Sequence, residues 1–170
     1  MTIGSGGGAM ISGLYLRSIG KDVLILEKTE KVGGSTAMSG GVLWIPNHPL
    51  QKAAGVKDSY EAGLAYMQAT IGDVGPASSP ERRDAFLTTG PRMIEFMLAK
   101  GVKLVRSEGW SDYYDDRPGG VARSRSLEPE IFDLKELGPW CELLRRSPVS
   151  ELPIYPMEGV KMALAKKSLQ

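Results

Sequence analysis

The chain is poor in two residue types that carry much of enzyme chemistry. It has one cysteine, Cys141, and one histidine, His48, in 170 residues. A single cysteine can form no intrachain disulfide and no cysteine metal cluster, which fits a reducing compartment such as the cytoplasm. A single histidine excludes a multi-histidine zinc site and leaves His48 as the one possible triad base. Standing alone in an apolar-rich turn, His48 reads as structural, and no metal is expected. No apolar run approaches the length of a membrane span. The glycine-rich start lacks the charged region and cleavage site of a signal peptide. Lys and Arg number 21 against 20 Asp and Glu, a net charge of +1. That balance gives no basic field for nucleic acid and no acidic tail. What remains is an ordinary globular composition, 42% hydrophobic and 24% charged, with one domain as the default at this length.

What the chain does have is glycine, concentrated at its start. Ten of its 21 glycines fall within the first 41 residues. Clustered glycines mark backbone that must bend sharply or approach a ligand closely. Gly4-Ser5-Gly6-Gly7-Gly8-Ala9 contains the G-x-G-x-x-G/A spacing of a dinucleotide-binding turn. Gly4 is expected to make the tight turn, Gly6 to leave room for a diphosphate, and Ala9 to allow close helix–strand packing. The phosphates are expected at the helix N-terminus, where free N–H groups and the positive dipole end meet them. The pattern predicts a helix from Ala9 to Ile19, with Met10, Leu14 and Ile11 on its apolar face, closed by Gly20. Val23 to Leu26 predicts a buried parallel strand. Glu27 ends that strand, 21 residues after Gly6, where a carboxylate can accept hydrogen bonds from a ribose 2′-OH.

A second glycine-rich stretch follows: Gly33, Gly34, Ser35 and Thr36, then Ser39, Gly40 and Gly41. Glycine pairs separated by hydroxyl residues predict a second backbone cradle around the same ligand. Only three residues precede Gly4, fewer than a normal strand, so residues are expected to be missing from the N-terminus.

Beyond residue 50 the pattern turns helical. Lys57 to Gly72 is predicted as a helix, capped by Asp58 and Glu61, with Tyr60, Leu64, Met67 and Ile71 in one stripe. Ser79 and Pro80 open the next helix, where Phe86, Met93 and Met97 share a face and Gly90-Pro91 predicts a kink or restart. Val102 to Val105 predicts a strand, and Trp110 to Gly120 a loop. Arg123 and Arg125 read as solvated surface charge. Leu137 to Arg146 is expected to be partly helical, and Val160 to Leu169 forms a last helix that stops uncapped at Gln170.

Gly4 to Ala9, Leu26-Glu27-Lys28, Gly33 to Gly41 and Trp44-Ile45-Pro46-Asn47, taken in this order, resemble the FAD-binding dehydrogenases of the fumarate reductase/succinate dehydrogenase flavoprotein superfamily. Within it the similarity is greatest to the 3-ketosteroid Δ1-dehydrogenase branch, continuing more weakly through Asp112-Tyr113-Tyr114 and Tyr155 to Gly159. The resemblance implies an α/β fold: part of a Rossmann-like FAD-binding domain over residues 1–50, then the start of a mostly helical substrate or cap region over 51–170. It implies FAD as cofactor, held by Gly4, Ser5, Gly6, Gly7, Gly8, Ala9, Glu27, Lys28, Gly33, Gly34, Ser35, Thr36, Ser39, Gly40 and Gly41. It also implies a small apolar substrate such as a 3-ketosteroid, which loses a proton from C2 and a hydride from C1 to flavin N5. Tyr113 is then the candidate supporting tyrosine and Tyr114 the second. The fumarate-reducing branch needs active-site histidines and arginines, a set that His48 alone cannot supply.

Family members are much longer. The chain is therefore expected to be an N-terminal portion that binds FAD poorly and catalyses nothing alone. Two other readings stand beside this one. A nicotinamide-dependent reductase shares the first fingerprint but gives no role to the second glycine stretch. A non-catalytic nucleotide-binding remnant is the other.

Overall fold

A computed structural model describes residues 1–123, 125–147 and 154–167. The chain divides into two compact units, Met1–Gly41 with Ile131–Gln170, and Val42–Glu130. The boundary expected at residue 50 falls inside the second of these.

The first unit is built on a parallel strand pair, β1 (Thr2–Ile3) and β2 (Ile25–Leu26), in the register Thr2↔Ile25 and Ile3↔Leu26. β2 is shorter than the Val23–Leu26 run suggested. The crossover is α1 (Gly7–Ser18). It stops where Gly20 adopts φ +78°: the Gly20 N–H reaches the Arg17 carbonyl and the Lys21 N–H the Leu16 carbonyl, both at 3.0 Å. That double bond closes two of the last turn's open carbonyls. The helix meets the sheet at Gly13, where an added Cβ would lie 3.4 Å from Ile25 Cδ1 and Val23 Cγ1. Close packing therefore falls at Gly13, the helix's one buried residue, and the expected apolar face at Met10 and Leu14 is solvent-exposed. A short 3-10 turn, Thr36–Met38, lies inside the second glycine stretch. The chain returns to this unit through a 3-10 segment, Leu134–Leu143, broken at Gly138. Its end docks on the loop after β2: the Val32 N–H donates to the Leu143 carbonyl at 2.8 Å and the Arg145 N–H to the Val32 carbonyl at 2.9 Å.

The second unit packs helices on a three-stranded antiparallel sheet of order β3-β5-β4, with β3 at Leu43–Trp44, β4 at Leu104–Arg106 and β5 at Ser126–Pro129. Its helices are α2 (Pro49–Ala53), α3 (Tyr60–Thr70) and α4 (Pro80–Ala99). Ile45, Tyr66, Met67, Leu87, Ile94, Met97, Leu104 and Leu127 form the apolar core. α3 approaches closely at Gly63, where a Cβ would be 2.8 Å from Leu87 Cδ2.

Several expectations are corrected here. α3 is capped by Ser59, whose side chain accepts from the Ala62 N–H, and not by Asp58. Asp58 instead pairs with Arg125, and neither side chain exceeds 1% exposure. Arg125 is thus a core residue and not surface charge: its guanidinium also reaches Asp112 Oδ2 at 2.9 Å and stacks 5.6 Å from the rings of Trp44 and Tyr66. α4 is one continuous helix through Pro91 and does not restart at Gly90. Its buried face is Arg83, Leu87, Gly90, Ile94 and Met97, while Phe86 is exposed and stacks on Trp44 at a centroid distance of 6.1 Å. His48 caps α2, its Nδ1 accepting from the Gln51 N–H at 3.2 Å.

The last helix, α5, spans Pro156–Lys167; the expected stop at Leu169 and Gln170 lies outside the described residues. No helix among the described residues is long and apolar enough to cross a membrane.

Candidate cofactor-binding site

The ladder between β1 and β2 delivers the chain to Gly4, whose N–H donates to the Leu26 carbonyl at 2.7 Å. Gly4 then turns at φ +84°, a conformation that L side chains rarely adopt. Helix α1 starts at Gly7 with Gly6 as its cap residue, and no side chain of the turn itself caps it. The cap comes from 29 positions away: Thr36 Oγ1 accepts the Gly7 N–H at 3.0 Å. The amides of Gly8 and Ala9 belong to the same first turn, where no intrahelical partner exists. No hydrogen bond to another described group takes up either one. Two free N–H groups at the positive end of a 12-residue helix form an anion cradle.

The two glycine stretches touch. A Cβ on Gly34 would lie 3.3 Å from Gly6 Cα, and one on Gly7 would lie 3.2 Å from Thr36 Cγ2. The second stretch is therefore a wall packed against the first. Within it, Ser39 Oγ donates to the Thr36 carbonyl at 2.8 Å and accepts the Gly41 N–H at 3.1 Å. Ser35 and Gly40 lie exposed on this wall, and Lys28 lies exposed beside Glu27.

Glu27 sits directly on the turn. Its Oε2 accepts the Ser5 N–H at 3.0 Å and the Ser5 hydroxyl at 2.5 Å. Its Oε1 accepts the Thr29 N–H at 3.1 Å. The Ser5 hydroxyl, followed by the Thr29 amide, lowers the Glu27 carboxyl from its ordinary value to about 2. Glu27 is therefore ionised throughout the working pH range. A fixed carboxylate, two free amides and side-chain-free backbone suit an adenine dinucleotide: diphosphate on the amides, ribose on the acid. The residues present fit the adenine half of FAD.

All the cradle residues expected from the sequence thus lie in the first unit. Sequence reading missed the roles of Ser5 and Thr36, because no local spacing announces a partner 22 or 29 positions away. The two tyrosines belong to the second unit. Tyr113 is 88% and Tyr114 56% exposed, and the Tyr114 N–H donates to the Tyr66 hydroxyl at 3.3 Å.

The chain is 43% identical over 140 residues to the 3-oxosteroid 1-dehydrogenase of Mycolicibacterium smegmatis, a match covering 82% of this chain and 24% of that enzyme. It is 35% identical over 138 residues to the 4-oxocyclohexanecarboxylate 2-dehydrogenase of Sinomonas cyclohexanicum, covering 81% of this chain and 24% of that one. Among solved structures, it is similar to the 3-ketosteroid Δ1-dehydrogenase of Sterolibacterium denitrificans in complex with 1,4-androstadiene-3,17-dione. The TM-score is 0.83 at 31% identity, covering 92% of this chain and 28% of that one. The chain thus spans 24% of the length of the curated relatives it matches here. The model of the FAD binding domain family matches residues 2–152. With that match over most of its length, this chain belongs to the FAD binding domain family.

Proposed function

We propose that this chain forms the adenine-dinucleotide cradle of an FAD-dependent dehydrogenase that oxidises the C1–C2 bond of a 3-ketosteroid or a similar ring ketone. The observation that carries the reading is the junction of Ser5, Glu27 and Gly33 beside a turn whose next two amides are free. In this reading Gly4 and Gly6 keep side chains away from the diphosphate, and the Gly8 and Ala9 amides bind it. Glu27 holds the ribose, with Lys28 beside it. Gly33, Gly34, Ser35, Thr36, Ser39, Gly40 and Gly41 form the second wall. The Thr36 hydroxyl accepts the Gly7 amide through one lone pair and keeps its own proton for an acceptor on the ligand.

When bound, the flavin supplies a two-electron acceptor for the hydride that leaves C1. The proton from C2 needs a base, and a phenol suits that work only when its surroundings support it. Tyr113 is the proposed supporting hydrogen-bond partner and Tyr114 the second candidate; both are solvent-exposed. Residues 51–170 are proposed as the beginning of the substrate region, and the single cysteine suits a cytoplasmic setting.

The test exchanges this chain for the matching 140 residues of the M. smegmatis relative. The chimera is expected to purify with bound flavin and to dehydrogenate a 3-ketosteroid with a dye as electron acceptor. A folded chimera that binds nicotinamide nucleotides in place of flavin overturns the reading, as does one that reduces a dicarboxylate and leaves the ketosteroid untouched. In the same chimera Tyr113→Phe is expected to lower kcat by about a hundredfold with KM little changed, the pattern of a group felt in the transition state.

A further inference from the structure

Ser5 lies between glycines in the middle of the turn and is 3% exposed. Both of its donors, the amide and the hydroxyl, are committed inside the protein. The hydroxyl donates to Glu27 Oε2 at 2.5 Å, the hydroxyl oxygen accepts the Gly33 N–H at 2.9 Å, and the Ser5 N–H donates to the same Glu27 oxygen at 3.0 Å. A serine hydroxyl has a single proton to give, so Ser5 keeps no donor for a phosphate. Hydrogen bonds to a carboxylate are about twice as strong as neutral ones, so this arrangement is rigid.

The two oxygens of Glu27 are then unequal. Oε2 receives two donors, both from Ser5, which fills its two lone-pair sites. Oε1 receives the Thr29 N–H at 3.1 Å. The Thr29 hydroxyl is 3.4 Å from Oε1 and has a shorter acceptor in the Lys31 carbonyl at 2.8 Å. The Lys28 amide also donates to this carboxylate, so Oε1 is held by longer, weaker bonds than the Ser5 hydroxyl gives Oε2, and it is the oxygen where an incoming hydroxyl has least to displace.

We infer that Ser5 is a positioning residue that never touches the ligand: it locks Glu27 so that Oε1 meets the ribose, and through Gly33 it holds the second glycine stretch in the same register. This rests on the reading of Gly4 to Ala9 and Glu27 as a dinucleotide cradle. Without Ser5 Oγ, the Glu27 side chain regains its rotamers and the Gly33 N–H loses its acceptor. The ribose subsite then blurs while the amide cradle for the diphosphate stays.

The experiment compares ADP with 2′-deoxy-ADP by calorimetry on the full chain. The wild-type chain is expected to prefer ADP by about tenfold, the worth of one hydrogen bond to a charged group. Ser5→Ala is expected to shrink that preference to within about twofold, while Ser5→Thr, which keeps the oxygen, restores it. A Ser5→Ala chain that keeps the full preference, or that weakens both ligands equally, overturns the inference, since general loss of structure would move both together. A ligand-free measurement runs alongside. The Glu27 carboxyl, held at about 2 by neutral donors of which the Ser5 hydroxyl contributes most, is followed by carbon NMR against pH. Ser5→Ala is expected to return it towards about 4.3, the ordinary range for glutamate. An unchanged titration overturns the inference even where both nucleotides bind. A wild-type chain that binds neither nucleotide overturns the cradle reading and the ribose half of this one; the carboxyl titration then still decides whether Ser5 holds Glu27.

Discussion

A methyl group at residue 33 would lie 2.5 Å from the Ala37 Cβ, at a backbone φ of +107°. At residue 4 the φ is +84°, but no heavy atom lies within 4 Å of where a Cβ would go. The two glycines look alike in the sequence and differ in what they tolerate. An L residue forced into the left-handed region costs about 1–2 kcal/mol, and overpacking adds about 1–3 kcal/mol. Gly4→Ala should therefore lower stability by about 1–2 kcal/mol and Gly33→Ala by about 2–5 kcal/mol. Urea denaturation of both variants checks the order; equal losses would mean that the second glycine stretch is not packed as described. The sequence pattern exposed both positions because the signals are local, a G-x-G spacing at Gly4 and a glycine pair at Gly33. It did not expose Gly13, whose role depends on Val23 and Ile25 crossing its face, or Ser5 and Thr36, whose partners are distant. Residue roles set by local backbone were readable, and roles set by a distant neighbour were not.

The same division holds for the elements. Helix ends were legible where a cap is local: Ser79 and Pro80 open α4, the Ser79 Oγ accepting from the Arg82 N–H, and Gly20 closes α1 with positive φ. The strands of the second unit were less so. β3 and β5 are two and four residues long, and β3 finds its partner about 80 positions on, so no run of alternation marks them. Asp58 illustrates how a distant partner overrides a local rule. It has a cap residue's identity and spacing, yet Arg125 takes both its oxygens at 2.8 Å and Ser59 becomes the cap. Substitution separates the two roles. Ser59→Ala should cost about 1 kcal/mol, the worth of an N-cap. Asp58→Ala should cost about 3–5 kcal/mol, because it strips a buried arginine of a partner. Denaturant midpoints with the helical signal as readout give the order; a larger loss for Ser59 would restore Asp58 as a mere cap.

At the scale of the whole molecule, these buried polar groups tie stability to pH. His48 is fully buried, its Nδ1 is used in the cap of α2, and its Nε2 has no partner among the described residues. Burial pushes its pKa from 6.5 down to about 4; Asp58 pulls it upward and Arg106 pushes it further down. Between these two values the unfolded chain carries a proton that the folded chain refuses, so stability falls as pH falls. Its contribution is complete above 6.5 and lost as pH approaches 4, a span worth about 3 kcal/mol. Asp58 acts in the same sense at lower pH: burial, the largest single effect, opposes its charge, but the Arg125 hydrogen bonds and charge together with the Asn47 and Ser59 amides outweigh it and lower its pKa below 3.8, so its contribution disappears as it protonates. The denaturation midpoint of the wild-type chain, read by tryptophan fluorescence, should therefore drop between pH 6.5 and pH 4. His48→Asn keeps an N-cap acceptor without a titrating ring. It should flatten that interval and leave the acid limb to which the lowered carboxyls of Asp58 and Glu27 contribute. A wild-type midpoint that stays level from pH 6.5 to pH 4 would show that the His48 ring accepts its proton in place, and with it that the second unit admits water or an acceptor at Nε2.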